Sequence, residues 1–145
     1  MSEYIIKKKS RLWKILPGGR NKFSATLEDT IYLSPGRYDD YHSKTPKKST
    51  IALVEHEKVH VDQYRRDPGF KRKYLTSRKA RLRYEAEAYA KQAFTRIQLG
   101  SSRDGDYYVD RYAKLLSSKT YLLFMSYDEV FEAIDREYEK LLAFN

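Results

Sequence analysis

The sequence predicts an α+β fold: a small antiparallel N-terminal sheet followed by about four helices, with one buried helix at the centre. Three observations carry this. Short β-branched and aromatic stretches separated by turn residues fill positions 3–34. Apolar residues then recur with helical period through the rest of the chain. Finally, 145 residues with 41% hydrophobic content suffice for one core, so residues 1–145 read as a single domain.

The strand region opens on the short apolar run Leu12-Trp13-Lys14-Ile15-Leu16, closed by the turn residues Pro17-Gly18-Gly19-Arg20-Asn21. Phe23-Ser24-Ala25-Thr26-Leu27 alternates with period two, as a half-buried strand does. Glu28-Asp29 then turns the chain into Thr30-Ile31-Tyr32-Leu33, which stops at Ser34-Pro35-Gly36. The expectation is an antiparallel sheet of about three strands. Residues 35–49 are polar, carry Pro35 and Pro46, and read as a loop.

The central helix is expected to start with Ser49 or Thr50 as N-cap and to stop at Asp67-Pro68-Gly69. Its first turn, Ile51-Ala52-Leu53-Val54, is apolar all round, the pattern of a helix buried in the domain. A helix follows from about Ser77 to Leu99, ended by Gly100, with Leu82, Ala86, Tyr89, Ala93 and Ile97 as its core stripe. After the connection Ser101-Ser102-Arg103-Asp104-Gly105, a third helix covers about Asp106 to Leu116, with Tyr108, Tyr112, Leu115 and Leu116 on its apolar side. The run Tyr121-Leu122-Leu123-Phe124-Met125 is too short to select helix or strand. Ser126-Tyr127-Asp128-Glu129 has the form of a capping box, and Val130, Phe131, Ile134, Tyr138, Leu141 and Leu142 give the last helix its apolar stripe. No internal repeat or linker is visible.

The net charge is +9, and aromatic content is raised by 14 tyrosines. Such a charge implies an anionic environment or partner: nucleic acid, cell-wall polymer, membrane surface or an acidic protein. It is densest at Arg65–Arg83, where Arg65, Arg66, Lys71, Arg72, Lys73, Arg78, Lys79, Arg81 and Arg83 face the single acid Asp67. This cluster is either a solvated helix face and loop or a surface for an anionic polymer. The absence of cysteine excludes disulfides and thiolate metal sites. No apolar run resembles a signal peptide or approaches a membrane span, so a cytoplasmic location is expected.

The chemistry concentrates at His56-Glu57-Lys58-Val59-His60. On a helix, H-E-x-x-H puts both imidazoles on one face a turn apart, where they can share a zinc ion, with the glutamate in reach of a water on it. Two of the three histidines of the chain lie in this motif. A buried helix carrying two histidines and several charges needs something to satisfy them, and a metal would do so. Zinc wants a third protein ligand, and without cysteine a carboxylate is the better choice. Glu85 has Leu82 and Tyr89 as helical neighbours, beside the core stripe; Glu87 has Arg83 and Lys91, the setting of a solvent-facing ion pair. Glu85 is therefore the expected ligand, with His42, Asp39 and Asp40 as lesser candidates.

His56-Glu57-Lys58-Val59-His60, followed by Glu85-x-x-Ala88 on a later helix, resembles the gluzincin type of zinc metallopeptidase. The longer pattern adds Val61, Gln63 and Tyr64, then Pro68, Gly69, Phe70, Tyr74 and Leu75, then Glu87 and Tyr89, preceded by Thr30-Ile31-Tyr32-Leu33. In that form it is similar to small metallopeptidases of tailed bacteriophages, over roughly residues 18 to 95. The resemblance implies a zincin-like fold with the motif helix central, and a location in the host cytoplasm or the virion. It implies that His56, His60 and Glu85 bind zinc and that Glu57 is the general base, moving a proton from zinc-bound water to the leaving amine. In larger gluzincins an aspartate often follows the ligand glutamate by four residues and orients a histidine; here that position is Tyr89. Gln63, one turn after His60, is a candidate to support a ligand or touch substrate. The strand near Ile31 to Leu33 is implied as an edge that pairs with an extended peptide.

Two functions follow from these residues. One is a zinc-dependent peptidase acting on a protein or peptide. The other is a basic module that binds nucleic acid or cell-wall polymer through Arg65–Arg83, on an inactive or structural zincin fold.

Overall fold

The computed structural model describes residues 3–10, 25–118 and 124–145. Strands β1 (Ile5–Lys8), β2 (Ala25–Leu27) and β3 (Thr30–Leu33) form one sheet in the order β1-β3-β2. Six helices follow among the described residues: α1 (Pro35–Tyr41), α2 (Lys48–Arg66), α3 (Phe70–Thr76), α4 (Arg78–Gln98), α5 (Gly105–Leu116) and α6 (Tyr127–Ala143). The α+β class is as expected; the helix count exceeds the expected four by the two short helices α1 and α3.

The sheet is mixed rather than antiparallel. β2 and β3 form a hairpin in register Ala25↔Tyr32 and Leu27↔Thr30, whereas β1 runs parallel to β3 with Ile5 opposite Thr30. β1 is not among the strands the sequence marks, because Ile5-Ile6-Lys7-Lys8 shows no period-two alternation. β3 is the middle strand, not an edge, and its Ile31 and Leu33 are completely buried. The hairpin turn places Glu28 at φ 56°, left-handed backbone that costs a non-glycine residue about 1–2 kcal/mol. The expected strand Leu12–Leu16 and the start of Phe23–Leu27 lie outside the described residues, as does most of the run Tyr121–Met125.

The segment expected as a loop begins with α1. Pro35 sits in its first turn, where its fixed φ favours a helix start and its missing N–H costs nothing. Tyr38 and Tyr41 of α1 pack on a small cluster of Ile31, Leu33, Val54 and Val61 between the sheet and α2. α2 starts earlier than expected, with Lys47 as N-cap. Ser49 and Thr50 lie inside its first turn instead of capping it, and their hydroxyls accept from Arg37 Nη1 at 3.1 and 2.7 Å.

α4 supplies the second wall of the centre. Ser77 caps it by accepting from the Ala80 amide, and its buried alanines 80, 86, 88, 90 and 93 let neighbouring helices approach closely. The larger core joins α4, α5 and α6 through Ala86, Tyr89, Phe94, Val109, Leu116 and Ile134, among others. The capping box at Ser126 and Glu129 forms as expected. Leu115 and Leu142, expected on apolar faces, are 43% and 45% exposed, and Val109 and Ala113 take the inward positions on α5. No described helix is long and apolar enough to cross a membrane.

Candidate metal centre

α2 carries His56 and His60 on successive turns of one buried face, with their Nε2 atoms 3.2 Å apart. Glu85 reaches them from α4, only 3% exposed. Its Oε2 lies 3.6 Å from His56 Nε2 and 3.5 Å from His60 Nε2. The three residues form a buried group that can hold a metal ion, the one such group among the described residues.

Those distances are charge contacts, too long for good hydrogen bonds. Glu85 Oε2 and His56 Nδ1 are buried without any hydrogen-bond partner among the described residues. A buried carboxylate oxygen with no donor is costly unless a cation faces it. The electrostatics agree. Burial alone would lower the pKa of His60, but the charges of Glu85 and Glu57 raise it to about 9. Burial would push the Glu85 carboxyl up, yet His60 and His56 hold it well below the usual carboxylate range.

Gln63 fixes the ring of His60. Its amide nitrogen donates at 2.9 Å to the Tyr84 carbonyl and to Glu87 Oε2, both of which can only accept. The amide oxygen must therefore face His60 Nδ1, 2.9 Å away, so Nδ1 carries a proton and Nε2 is the atom left to coordinate. Glu87 is not the solvent-facing partner of Arg83 and Lys91 that helical spacing suggested. It pairs across helices with Arg66 at 2.5 Å, completing a chain Arg66–Glu87–Gln63–His60. Spacing within one helix cannot reveal a partner on another.

Glu57 lies beside the cluster, 5% exposed, with Oε2 accepting the Thr26 hydroxyl of β2 at 2.6 Å. Lys9, just past β1, is also buried; burial lowers its ammonium pKa, and the Glu57 charge opposes that shift. Tyr74 of α3 donates its hydroxyl to Glu85 Oε1 at 2.5 Å. Thr26 has no mark in the sequence as part of the site, and Tyr74 has only its place in the longer pattern, without a role. Both line a cleft of about 340 Å³, together with Ala25, Leu27, Phe70, Lys71, Leu75 and the three ligand candidates. One wall of that cleft is β2, the strand at the sheet's edge among the described residues.

Tyr89 packs its ring against His56, edge to face with centroids 4.4 Å apart, and so holds the imidazole by contact. The lesser candidates lie elsewhere. His42 is exposed and bonds the Tyr38 carbonyl, Asp39 pairs with Lys8, and Asp40 accepts from the Lys47 amide. Within the basic cluster, Arg66 and Lys73 are in ion pairs, and Arg65 and Arg81 donate to backbone carbonyls. No protein-family model, curated protein or solved structure matches the chain.

Proposed function

We propose that this chain is a zinc-dependent peptidase of the gluzincin type, with His56, His60 and Glu85 holding the ion and Glu57 as general base. The observation that carries this is the spacing of the three donors. Ligands about 2.0–2.1 Å from a tetrahedral ion lie about 3.3–3.4 Å from one another. The separations here are 3.2, 3.5 and 3.6 Å. Two imidazoles and one carboxylate, with no cysteine, make the ligand set of a catalytic rather than a structural zinc site. The same donors also suit non-haem iron; a buried glutamate in the adjoining cleft favours hydrolysis.

A bound zinc ion would lower the pKa of a coordinated water to roughly 7 and polarise a carbonyl oxygen. The residues around it do the rest. Glu57, steadied by Thr26, takes the proton of the attacking water and delivers it to the departing amine. Tyr74 holds Glu85 through Oε1 and leaves Oε2 directed at the histidines. The edge of β2 along the cleft, outermost in the sheet among the described residues, suits an extended peptide, which would add as a further strand. Phe70, Leu27 and Leu75 offer that peptide apolar contacts.

The test is metal content followed by hydrolysis. The purified chain should hold about one equivalent of zinc, and His56→Ala and His60→Ala should each lose it. Glu57→Gln should keep the metal and lose peptide cleavage. Near-wild-type zinc in both histidine variants would overturn the proposal.

A further inference from the structure

A second concavity, of about 630 Å³, lies where α1, α2, α4 and α5 meet. It shares no lining residue with the metal cleft. Arg96 is eleven positions beyond Glu85 on α4, which sets the two sites about 16 Å apart along that helix. Five cations line this concavity: Arg37, Lys48, Arg96, Arg103 and Arg111. No acidic residue does.

The partners of these cations are uncharged. Arg37 donates to the Ser49 and Thr50 hydroxyls, Lys48 to the Gly100 carbonyl, Arg96 to the Tyr108 phenol and Arg111 to the Tyr107 phenol. Arg103 lies over the Tyr107 ring, 4.8 Å from its centroid. None of the five is in an ion pair among the described residues, whereas Lys8, Lys58, Arg66, Lys73, Lys114 and Lys140 each are. Asp40, which faces Arg37, is not part of the wall. Arg96 Nε is moreover a buried donor with no hydrogen-bond partner among the described residues.

Like charges gathered in a concave, partly desolvated place repel one another and favour a bound anion. The guanidinium forks match phosphate oxygens, and arginine makes up four of the five cations. We propose that this concavity binds a compact polyphosphate anion, either an inorganic chain or the phosphates of a nucleotide. Its cations converge from several elements on one hollow, which fits a small ligand; a nucleic-acid backbone would instead follow a stripe or groove. This site does not depend on the metal centre or on peptidase activity.

Calorimetric titration of the full chain with tripolyphosphate, and separately with a nucleoside triphosphate, tests the proposal. Saturable binding below about 1 mM is expected at moderate salt. Arg96→Gln should weaken it by about tenfold or more, the worth of a charge-assisted contact. Arg103→Gln and Arg111→Gln, both at exposed positions that do not endanger folding, should each weaken it in the same direction. Lys7→Gln removes the same charge from an exposed position on β1, outside both clefts, and should leave affinity within about twofold. Equal affinity for both probes would assign recognition to the phosphates alone; tighter binding of the nucleotide would add its base. No saturable binding of either probe, or equal loss in Lys7→Gln, would overturn the site. So would binding of a single-stranded oligonucleotide, lost in the arginine variants, with no binding of the small anions.

Discussion

The phenol of Tyr74 donates to Glu85 Oε1 at 2.5 Å, so α3 holds one carboxylate oxygen while the other faces His56 and His60. The short helix Phe70–Thr76 is thereby tied to the centre, though it contributes no ligand. Glu85 is presented through a single oxygen.

Tyr74→Phe should therefore weaken metal binding by about tenfold or more, the usual effect of losing a group that orients a ligand. Competition against a chelator of known affinity reads this directly. Unchanged affinity would mean that packing alone positions Glu85.

Gln63 is completely buried and bonded at both ends of its amide. Gln63→Leu should lower folding stability by about 1–3 kcal/mol, because it leaves buried polar partners unmet. Metal affinity should fall as well, since His60 would no longer be held in one tautomer. Urea unfolding of the metal-free protein separates the first effect from the second.

Thr26→Val removes the hydroxyl that steadies Glu57 while keeping the shape of the side chain. Under the proposed peptidase function, hydrolysis should slow, with kcat falling about tenfold and zinc content unchanged. A change confined to KM would assign Thr26 to substrate binding instead.

Gly105 opens α5 against the ring of Tyr138, and a Cβ built there would lie 2.2 Å from the Tyr138 hydroxyl oxygen. Gly105→Ala should destabilise the fold by about 1–3 kcal/mol through overpacking. Adding Tyr138→Phe should recover only part of this, because Cζ would still be 2.5 Å away.

Asp67 ends α2 and accepts hydrogen bonds from the Tyr84 hydroxyl and from Lys73, which lower its pKa to about 2. The unfolded value is about 3.9, so the folded state prefers the carboxylate. Its contribution is complete above the unfolded value and is lost as pH falls toward about 2. Asp67→Asn should therefore be less stable than the parent near neutrality, with the gap closing in that acid window. Urea midpoints of the two metal-free proteins across pH 2–6 measure it, and a gap independent of pH would remove Asp67 as its source.

Much of this architecture was written in local pattern. The phase of Leu82, Glu85 and Tyr89 along α4 indicated that Glu85 turns inward, and it is buried beside both histidines. The Ser126–Glu129 box and the stop at Asp67-Pro68-Gly69 were equally plain, because caps and breakers act over a few residues. What escaped depends on contacts between distant segments. Glu87 was misjudged because its partners, Arg66 and Gln63, are on α2. β1 went unmarked because Ile5-Ile6-Lys7-Lys8 lacks period-two alternation and its parallel partner β3 lies far along the chain. Tyr74 stood in the longer pattern without a role, which only the packing of α3 onto Glu85 supplies.

The bond from Gln63 to the Tyr84 carbonyl has a consequence for how the two long helices seat against each other. Tyr84 directly precedes Glu85, so the contact indexes α4 against α2 at the residue next to the carboxylate. Slipping α4 by one position would swing Glu85 about 100° around its axis and break the contact as it did so. The same amide that aims His60 thus favours the seating in which Glu85 faces it.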